Sequence, residues 1–280
     1  MHSRGWRRFP RTFTRAATSA GRWTLDFVYP PACSLCGQPL LNSTARPQRL
    51  CVQCRNEVAP VLPHRCLRCS APAGPHLDTS NGCIHCRADR FAFEKVLSLG
   101  AYDGSLREAC LQVKRQSGSV VAVALAGLLV EQEFMESGYG QPGFDLVVPV
   151  PHHWTDRIRQ NHLPPVTLAT CVARLLSVPC AAHILAKVRR TRPQTELSHT
   201  ERRKNLRGAF RLIGRPDLTS RQVLLVDDVL TTGTTAHRAA TELKRAGAVI
   251  TVAVLARGLG PGAPTGPRAG AGSEPNHTPS

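Results

Sequence analysis

Residues 223–236, V-L-L-V-D-D-V-L-T-T-G-T-T-A, constrain the fold of this chain more than any other stretch. Residues 223–226 are consecutive apolar positions, short and flanked by β-branched valines, the pattern of a strand buried on both faces of a parallel sheet. Asp227 and Asp228 place two carboxylates where that strand ends. The small-residue loop Thr231-Thr232-Gly233-Thr234-Thr235 follows and opens into a helix, on which Ala236, Ala239, Ala240, Leu243 and Ala246 share one face. Gly247 stops the helix, and residues 249–255 read as the next strand. Such a strand–loop–helix–strand unit brings hydroxyls, backbone N–H groups and a helix N-terminus to one point. The unpaired donors and the helix dipole there favour an anion such as phosphate. Neither G-x-x-x-x-G-K-[ST] nor G-x-G-x-x-G occurs, which sets aside two common phosphate loops. Carboxylates on vicinal hydroxyls beside amides on a phosphate would describe a ribose 5-phosphate. A strand end with an Asp turn and a Thr-capped helix is the plainer reading of the same residues.

The second constraint is cysteine. Eight of the 11 cysteines form four C-x-x-C pairs, Cys33/Cys36, Cys51/Cys54, Cys66/Cys69 and Cys83/Cys86, interrupted by 14, 11 and 13 residues. One pair could be a redox motif. Four at this spacing predict metal, because two thiolates on a tight turn supply half a tetrahedron and a second turn closes it. Two Zn²⁺ sites are expected, Cys33/Cys36/Cys51/Cys54 and Cys66/Cys69/Cys83/Cys86 if neighbouring pairs join; a crossed pairing, first with third, also fits. Four thiolates leave no position for water, so both sites are structural. Residues 25–87 are rich in proline and poor in apolar runs, so the metal must hold them folded. His64, His76 and His85 lie among the thiols as bystanders. Cys110, Cys171 and Cys180 are isolated and read as small buried hydrophobes.

The chain carries 36 Lys and Arg against 19 Asp and Glu, a net charge of +17. That surplus favours a polyanionic partner, either nucleic acid or a highly charged small phosphate. Aromatics at 5% argue against a broad base-stacking platform. Residues 1–24 form a basic arm with six arginines before position 23; a disordered arm and a mitochondrial-type transit peptide share that composition. No secretory apolar region follows it. The longest apolar run, residues 120–130, is too short to span a bilayer and reads as a buried helix, so no transmembrane segment and a cytoplasmic location are expected. From a boundary near Asp89, strands are expected at 93–102, 146–151, 184–188 and 209–213, with helices at 104–114, 119–133 and 165–178. Residues 189–207, between two expected core strands, hold seven basic and two acidic side chains. A long charged loop inside a compact domain reads as a functional lid, here one suited to a pyrophosphate. Residues 258–280, with six Gly and five Pro, read as a disordered tail.

The 223–236 stretch resembles the phosphoribosyl-pyrophosphate (PRPP) binding signature of type I phosphoribosyltransferases. The resemblance implies that Asp227 and Asp228 hold the ribose hydroxyls, that Thr231, Thr232, Gly233, Thr234 and Thr235 wrap the 5′-phosphate, and that Mg²⁺ accompanies the pyrophosphate. A wider resemblance, over residues 24–257, is to the ComF family, which is tied to natural competence for DNA uptake in bacteria. Its carriers are L-D-F-V-Y-P-P-A-C-S-L-C-G at 25–37, the cysteine pairs, Y-D-G-S-L-R-E at 102–108 with Lys114 and Gly118 beyond it, V-V-P-V-P at 147–151, and R-R-T-R-P-Q-T-E-L with E-R-R-K-N-L-R-G-A-F within 189–210. The family implies a double zinc ribbon, residues 25–88, fused to an α/β domain, residues 89–257, with a type I phosphoribosyltransferase-like parallel sheet and helices on both faces. It also implies single-stranded DNA and the competence machinery as partners. R-P-Q-T-E-L at 192–197 resembles the mobile catalytic loop of amidophosphoribosyltransferases, so Arg190, Arg192, Gln194, Arg203 and Lys204 form the implied lid, and Arg157 and Arg159 the implied pyrophosphate turn. One departure stands out: Asn161-His162-Leu163-Pro164-Pro165 occupies the place of the family's R-G-F-N-Q. Three functions follow: a DNA-handling protein with a ribose-phosphate pocket, an active phosphoribosyltransferase with an unidentified acceptor, or a zinc-ribbon nucleic-acid binder with an inert second domain.

Overall fold

The computed structural model describes residues 31–40, 49–60, 64–115, 117–135, 143–153, 163–191 and 205–259. In chain order the elements are α1 (Val52–Val58), β1 (Lys95–Ala101), α2 (Gly104–Val113), α3 (Ser119–Val130), β2 (Leu146–Pro149), α4 (Pro164–Leu176), β3 (Leu185–Lys187), β4 (Phe210–Leu212), β5 (Gln222–Val226), β6 (Val229–Leu230), α5 (Thr234–Arg245) and β7 (Val249–Arg257). The apolar runs become a parallel sheet in the order β1-β7-β5-β2, with β6 rejoining β7 past the acidic pair.

Both faces of that sheet are covered, as continuous apolar strands require. Leu224 and Val226 of β5, with Ala253 and Leu255 of β7, pack among α2, α3 and α4. Val223 and Leu225, with Ile250, Val252 and Val254, pack on the other side beneath Ala236, Ala239, Ala240 and Leu243 of α5. The alternation is that of a pleated strand, whose successive side chains point to opposite faces. Helix α3 is apolar nearly all round because it lies inside, between the sheet and its neighbours α2 and α4. Beyond Val130 it continues as a π-turn, Glu131–Met135, whose acids reach towards the cysteine-rich segment. Leu163 and the two prolines that depart from the family pattern start α4, with proline in its first turn.

One expectation is corrected. Strands 184–188 and 209–213 do not join the main sheet; β3 and β4 pair antiparallel with each other, Leu185 opposite Leu212 and Lys187 opposite Phe210. Each is three residues long, and β4 alternates buried Phe210 with exposed Arg211. That is a ribbon with one buried face, not a strand buried on both. The 189–207 run, of which residues 189–191 and 205–207 are described, therefore connects the two strands of a hairpin rather than two core strands.

The cysteine-rich segment is built twice on one plan. The Cys33 N–H donates to Gln38 O and the Gly37 N–H to Cys33 O; in the second copy Cys66 N–H donates to Ala71 O and Ser70 N–H to Cys66 O. Antiparallel bridges Ala32–Pro39 and Arg65–Pro72 close the two knuckles. Gly37 and Ser70 hold the same left-handed position, φ +76° and +58°. Both copies dock on the sheet domain through arginine: Arg55 makes a paired contact with Glu131 at 2.8 Å, and Arg65 reaches Glu133 at 2.7 Å. Among the described residues no helix is long and apolar enough to cross a membrane.

Candidate functional site

Strand β5 ends at Val226, and the chain turns through the two aspartates before β6 re-enters the sheet. Asp227 N–H still bonds to Ala253 O at 3.0 Å, and Leu255 N–H to Asp228 O at 3.0 Å, so the backbone of the pair is held by β7. The side chains organise the turn: Asp227 Oδ1 accepts from Asp228 N–H and Asp228 Oδ1 from Val229 N–H, each at 2.9 Å. Burial first, and the neighbouring Asp228 charge second, push the Asp227 carboxyl well above its ordinary value. In its protonated form such a carboxyl can both donate to and accept from a diol.

The other Asp228 oxygen meets Lys114 Nζ at 3.1 Å. Burial would lower the Lys114 ammonium, but Asp228 outweighs it and raises it above the usual range. Lys114 stands at the end of α2, and only the motif comparison singled it out in the sequence. Its role beside Asp228 was not legible there, because an isolated lysine at a helix end carries no spacing signal.

The loop after β6 leads straight into α5. Gly233 sits at the N-cap of α5 with φ +72°. A Cβ there would lie 2.9 Å from the Phe91 ring, so conformation and space both demand glycine. Thr232 and Thr234 hydroxyls bond to each other at 2.9 Å, and Thr234 is buried. Thr231 is exposed and Thr235 half-buried. The first-turn N–H groups of α5 thus face the same sheet edge as the carboxylates. A cavity of about 340 Å³ opens beside this loop, lined by Arg90, Phe91, Thr232, Thr234, His237 and Arg238. His237 Nδ1 accepts from Ala92 N–H at 3.0 Å, which leaves the ring proton of the neutral imidazole on Nε2.

The residues expected on a pyrophosphate side are partly described. Arg190 is exposed at the stem of the β3–β4 hairpin, and Arg189 ties the two stem ends by donating to Asn205 O and Arg207 O at 2.7 and 2.8 Å. A bridge between His153 and Lys187 sets that stem beside the turn after β2. Arg157, Arg159, Arg192, Gln194, Arg203 and Lys204 lie outside the described residues.

The thiols gather as two groups, Cys33/Cys36/Cys51/Cys54 and Cys66/Cys69/Cys83/Cys86, with the four sulfurs of each within 4.8 Å of one another. Neighbouring pairs join, not crossed ones. Individual S···S distances of 3.6 Å (Cys69–Cys83), 3.7 Å (Cys66–Cys86) and 3.8 Å (Cys36–Cys51) match the edge of a ZnS₄ tetrahedron, about 3.8 Å for Zn–S bonds of about 2.3 Å. Burial would raise the Cys33 thiol, but N–H groups of Cys36, Cys51 and Leu35 bring it down to about 6. At Cys66 burial is likewise outweighed, by the N–H groups of Cys69 and Arg68, and the thiol falls to about 7. The two groups fit structural zinc. Among the described residues no histidine joins either group.

Known proteins agree with this architecture. A double zinc ribbon domain model matches residues 24–88, and a phosphoribosyl transferase domain model matches residues 166–267. DNA utilization protein YhgH of Salmonella typhi is 31% identical over 224 residues, which cover 78% of this chain and 93% of that protein. Its Escherichia coli K12 counterpart is 30% identical over 191 residues, 65% of this chain and 79% of that one. Competence protein F of Haemophilus influenzae is 28% identical over 169 residues, 59% and 73% of the two chains. The chain belongs to the ComF/YhgH family, in which a double zinc ribbon is joined to a phosphoribosyltransferase domain.

Proposed function

We propose that this protein binds PRPP or ribose 5-phosphate at the carboxyl edge of its sheet and acts in the handling of single-stranded DNA. Asp227 and Asp228 take the ribose hydroxyls, with Lys114 setting the second carboxylate. Thr231, Thr232, Gly233, Thr234 and Thr235 take the 5′-phosphate. Arg157, Arg159, Arg190, Arg192, Gln194, Arg203 and Lys204 serve the pyrophosphate side, where Mg²⁺ enters as the pyrophosphate counter-ion. The observation that carries this reading is the half-buried acidic pair and the left-handed Gly233 loop, which follow one another between the end of β5 and the start of α5. A plain Asp turn needs no second carboxylate and no lysine upon it. The names DNA utilization protein and competence protein F support the nucleic-acid direction, and the +17 charge supplies its electrostatics. The cytoplasm is where both ligands meet.

Calorimetric titration with ribose 5-phosphate, and with PRPP and Mg²⁺, tests the pocket. A hydroxyl bond to the charged Asp228 carboxylate contributes roughly 1.5–3 kcal/mol, so Asp227→Asn with Asp228→Asn should weaken binding at least about tenfold while the protein stays folded. Equal binding by both proteins would end the reading. A second reading, transfer of phosphoribosyl from PRPP to an acceptor, is favoured by the bridge that sets the hairpin stem beside the β2 turn. Pyrophosphate released on addition of PRPP and single-stranded DNA would move it ahead.

A further inference from the structure

Arg257 ends β7 with its side chain inside the protein, 3% exposed. No carboxylate among the described residues pairs with it. One Nη donates to the carbonyls of Leu230, Thr231 and Gly258, and its Nε is buried without a hydrogen-bond partner. Carbonyl dipoles satisfy donors, but a buried cation still calls for a counter-charge, since leaving one uncompensated is among the costlier things a fold can do. The second cysteine group lies on this side of the domain. Phe91 and Leu259, the latter two residues beyond Arg257, pack against Cys66, Cys69, Cys83 and Cys86. Zinc bound by four thiolates carries net charge −2, the complement a lone buried guanidinium lacks.

The carbonyls that Arg257 holds include the last residue of β6 and the first threonine of the phosphate loop, so the guanidinium decides where that loop starts. Phe91 makes a second link. Its ring rests on the cysteine group, occupies the space beside Gly233, and carries the Arg68 guanidinium 5.5 Å from its centre. Arg68 in turn donates to Cys86 O at 3.1 Å. The first cysteine group sits elsewhere, with Cys36 and Cys54 facing α2 across a cavity of about 540 Å³.

We propose that Arg257 is a positioning residue for the phosphate loop and that the zinc centre of the second ribbon is its counter-charge, so that metal in this ribbon sets the shape of the anion site. This rests on the loop at 231–235 being the ligand site, but its readouts need no ligand. Hydrogen exchange and chelator-driven zinc release are measured on the full chain. Arg257→Met keeps the length without the charge. It should speed amide exchange across 231–235 by at least about tenfold and release zinc from the second ribbon faster, with two zinc ions still bound at the outset. Arg257→Lys should recover zinc retention, through its charge, and not loop protection, because an ammonium lacks the planar fork. Cys83→Ser should loosen the loop with Arg257 intact, whereas Cys36→Ser, in the first ribbon, should leave it unchanged. A folded Arg257→Met protein with the parent's exchange and zinc release overturns the proposal. So does Cys83→Ser with an unchanged loop, which decides alone if Arg257→Met fails to fold. Absence of ribose 5-phosphate binding, with this exchange pattern present, would sink the ligand reading and leave the zinc–loop coupling standing.

Discussion

Asp227 ends a buried strand with its carboxyl beside a second carboxylate, and burial and that neighbour both favour its protonated form. Its folded value lies above the ordinary 3.8, so above that pH the folded chain holds a proton that the unfolded chain has released. Stability is therefore lost as pH rises from about 4 through the raised value. Asp227→Asn removes this penalty and keeps the oxygen that accepts from Asp228 N–H. At pH 7 the ligand-free variant should melt higher, by about 2–4 °C for a gain of about 1 kcal/mol, while its affinity for ribose 5-phosphate falls. Scanning calorimetry near pH 3.5 should show the gain shrinking, because the carboxyl is then largely protonated in both states. A lower melting point at pH 7 would mean that the carboxylate serves the turn and not a ligand. Lys114 acts on a smaller scale: its ion pair with Asp228 is half-exposed, so Lys114→Met should cost stability only about 0.2–1 kcal/mol.

Among the elements, the two knuckles show how far metal replaces a core. Their hydrogen bonds repeat, yet the second buries little besides Cys66, Cys69, Ala71, Cys83 and Cys86. Binding of a structural zinc, roughly 10–16 kcal/mol in small domains, then supplies most of what holds each knuckle. Elemental analysis of protein prepared without chelator should give two zinc ions per chain; below about 1.5 would count against a full double site. Strong chelation should remove amide protection from residues 31–40 and 64–90 before it touches β5 or β7, whose core is apolar on both faces. Simultaneous loss everywhere would mean that the ribbons and the sheet fold as one unit. Helix α5 illustrates the opposite regime: Ala239, Ala240 and Leu243 are fully buried, so the helix that follows the 231–235 loop stands on packing.

For the molecule as a whole, a charge of +17 beside the proposed ribose-phosphate site raises the question of which polyanion it serves. If single-stranded DNA binds by phosphate neutralisation, affinity should fall log-linearly with salt and depend little on base sequence. Deleting residues 1–22 tests the basic arm, and Arg202→Glu with Arg203→Glu and Lys204→Glu tests the lid. Each should reduce binding in a fluorescence-anisotropy titration, and saturating PRPP should compete for the lid. If neither change alters binding at about 0.15 M salt, nucleic acid is the wrong partner and the transferase reading gains. All the residues changed here lie outside the described part of the chain.

The sheet, the acidic pair, the Gly233 loop and the zinc-binding cysteines were legible in the sequence because each is a local pattern. Strand period, helix period, a glycine needed at one φ and the two-residue gap of C-x-x-C all act between neighbours. Even the all-apolar run at 120–130 announced a helix that lies inside. What neighbours could not encode was decided by chain closure. The spacing allowed two cysteine pairings, and the repeated knuckles selected the sequential one. The strands at 185–187 and 210–212 carried enough apolar character to pass for core, but in the fold they pair antiparallel with each other, apart from the main sheet. Lys114 on Asp228, Arg55 on Glu131, Arg65 on Glu133 and Arg257 on the carbonyls of Leu230 and Thr231 are single polar side chains with no period to reveal them. Their partners are far away in sequence, so only the tertiary structure could bring each charge to the group that needs it.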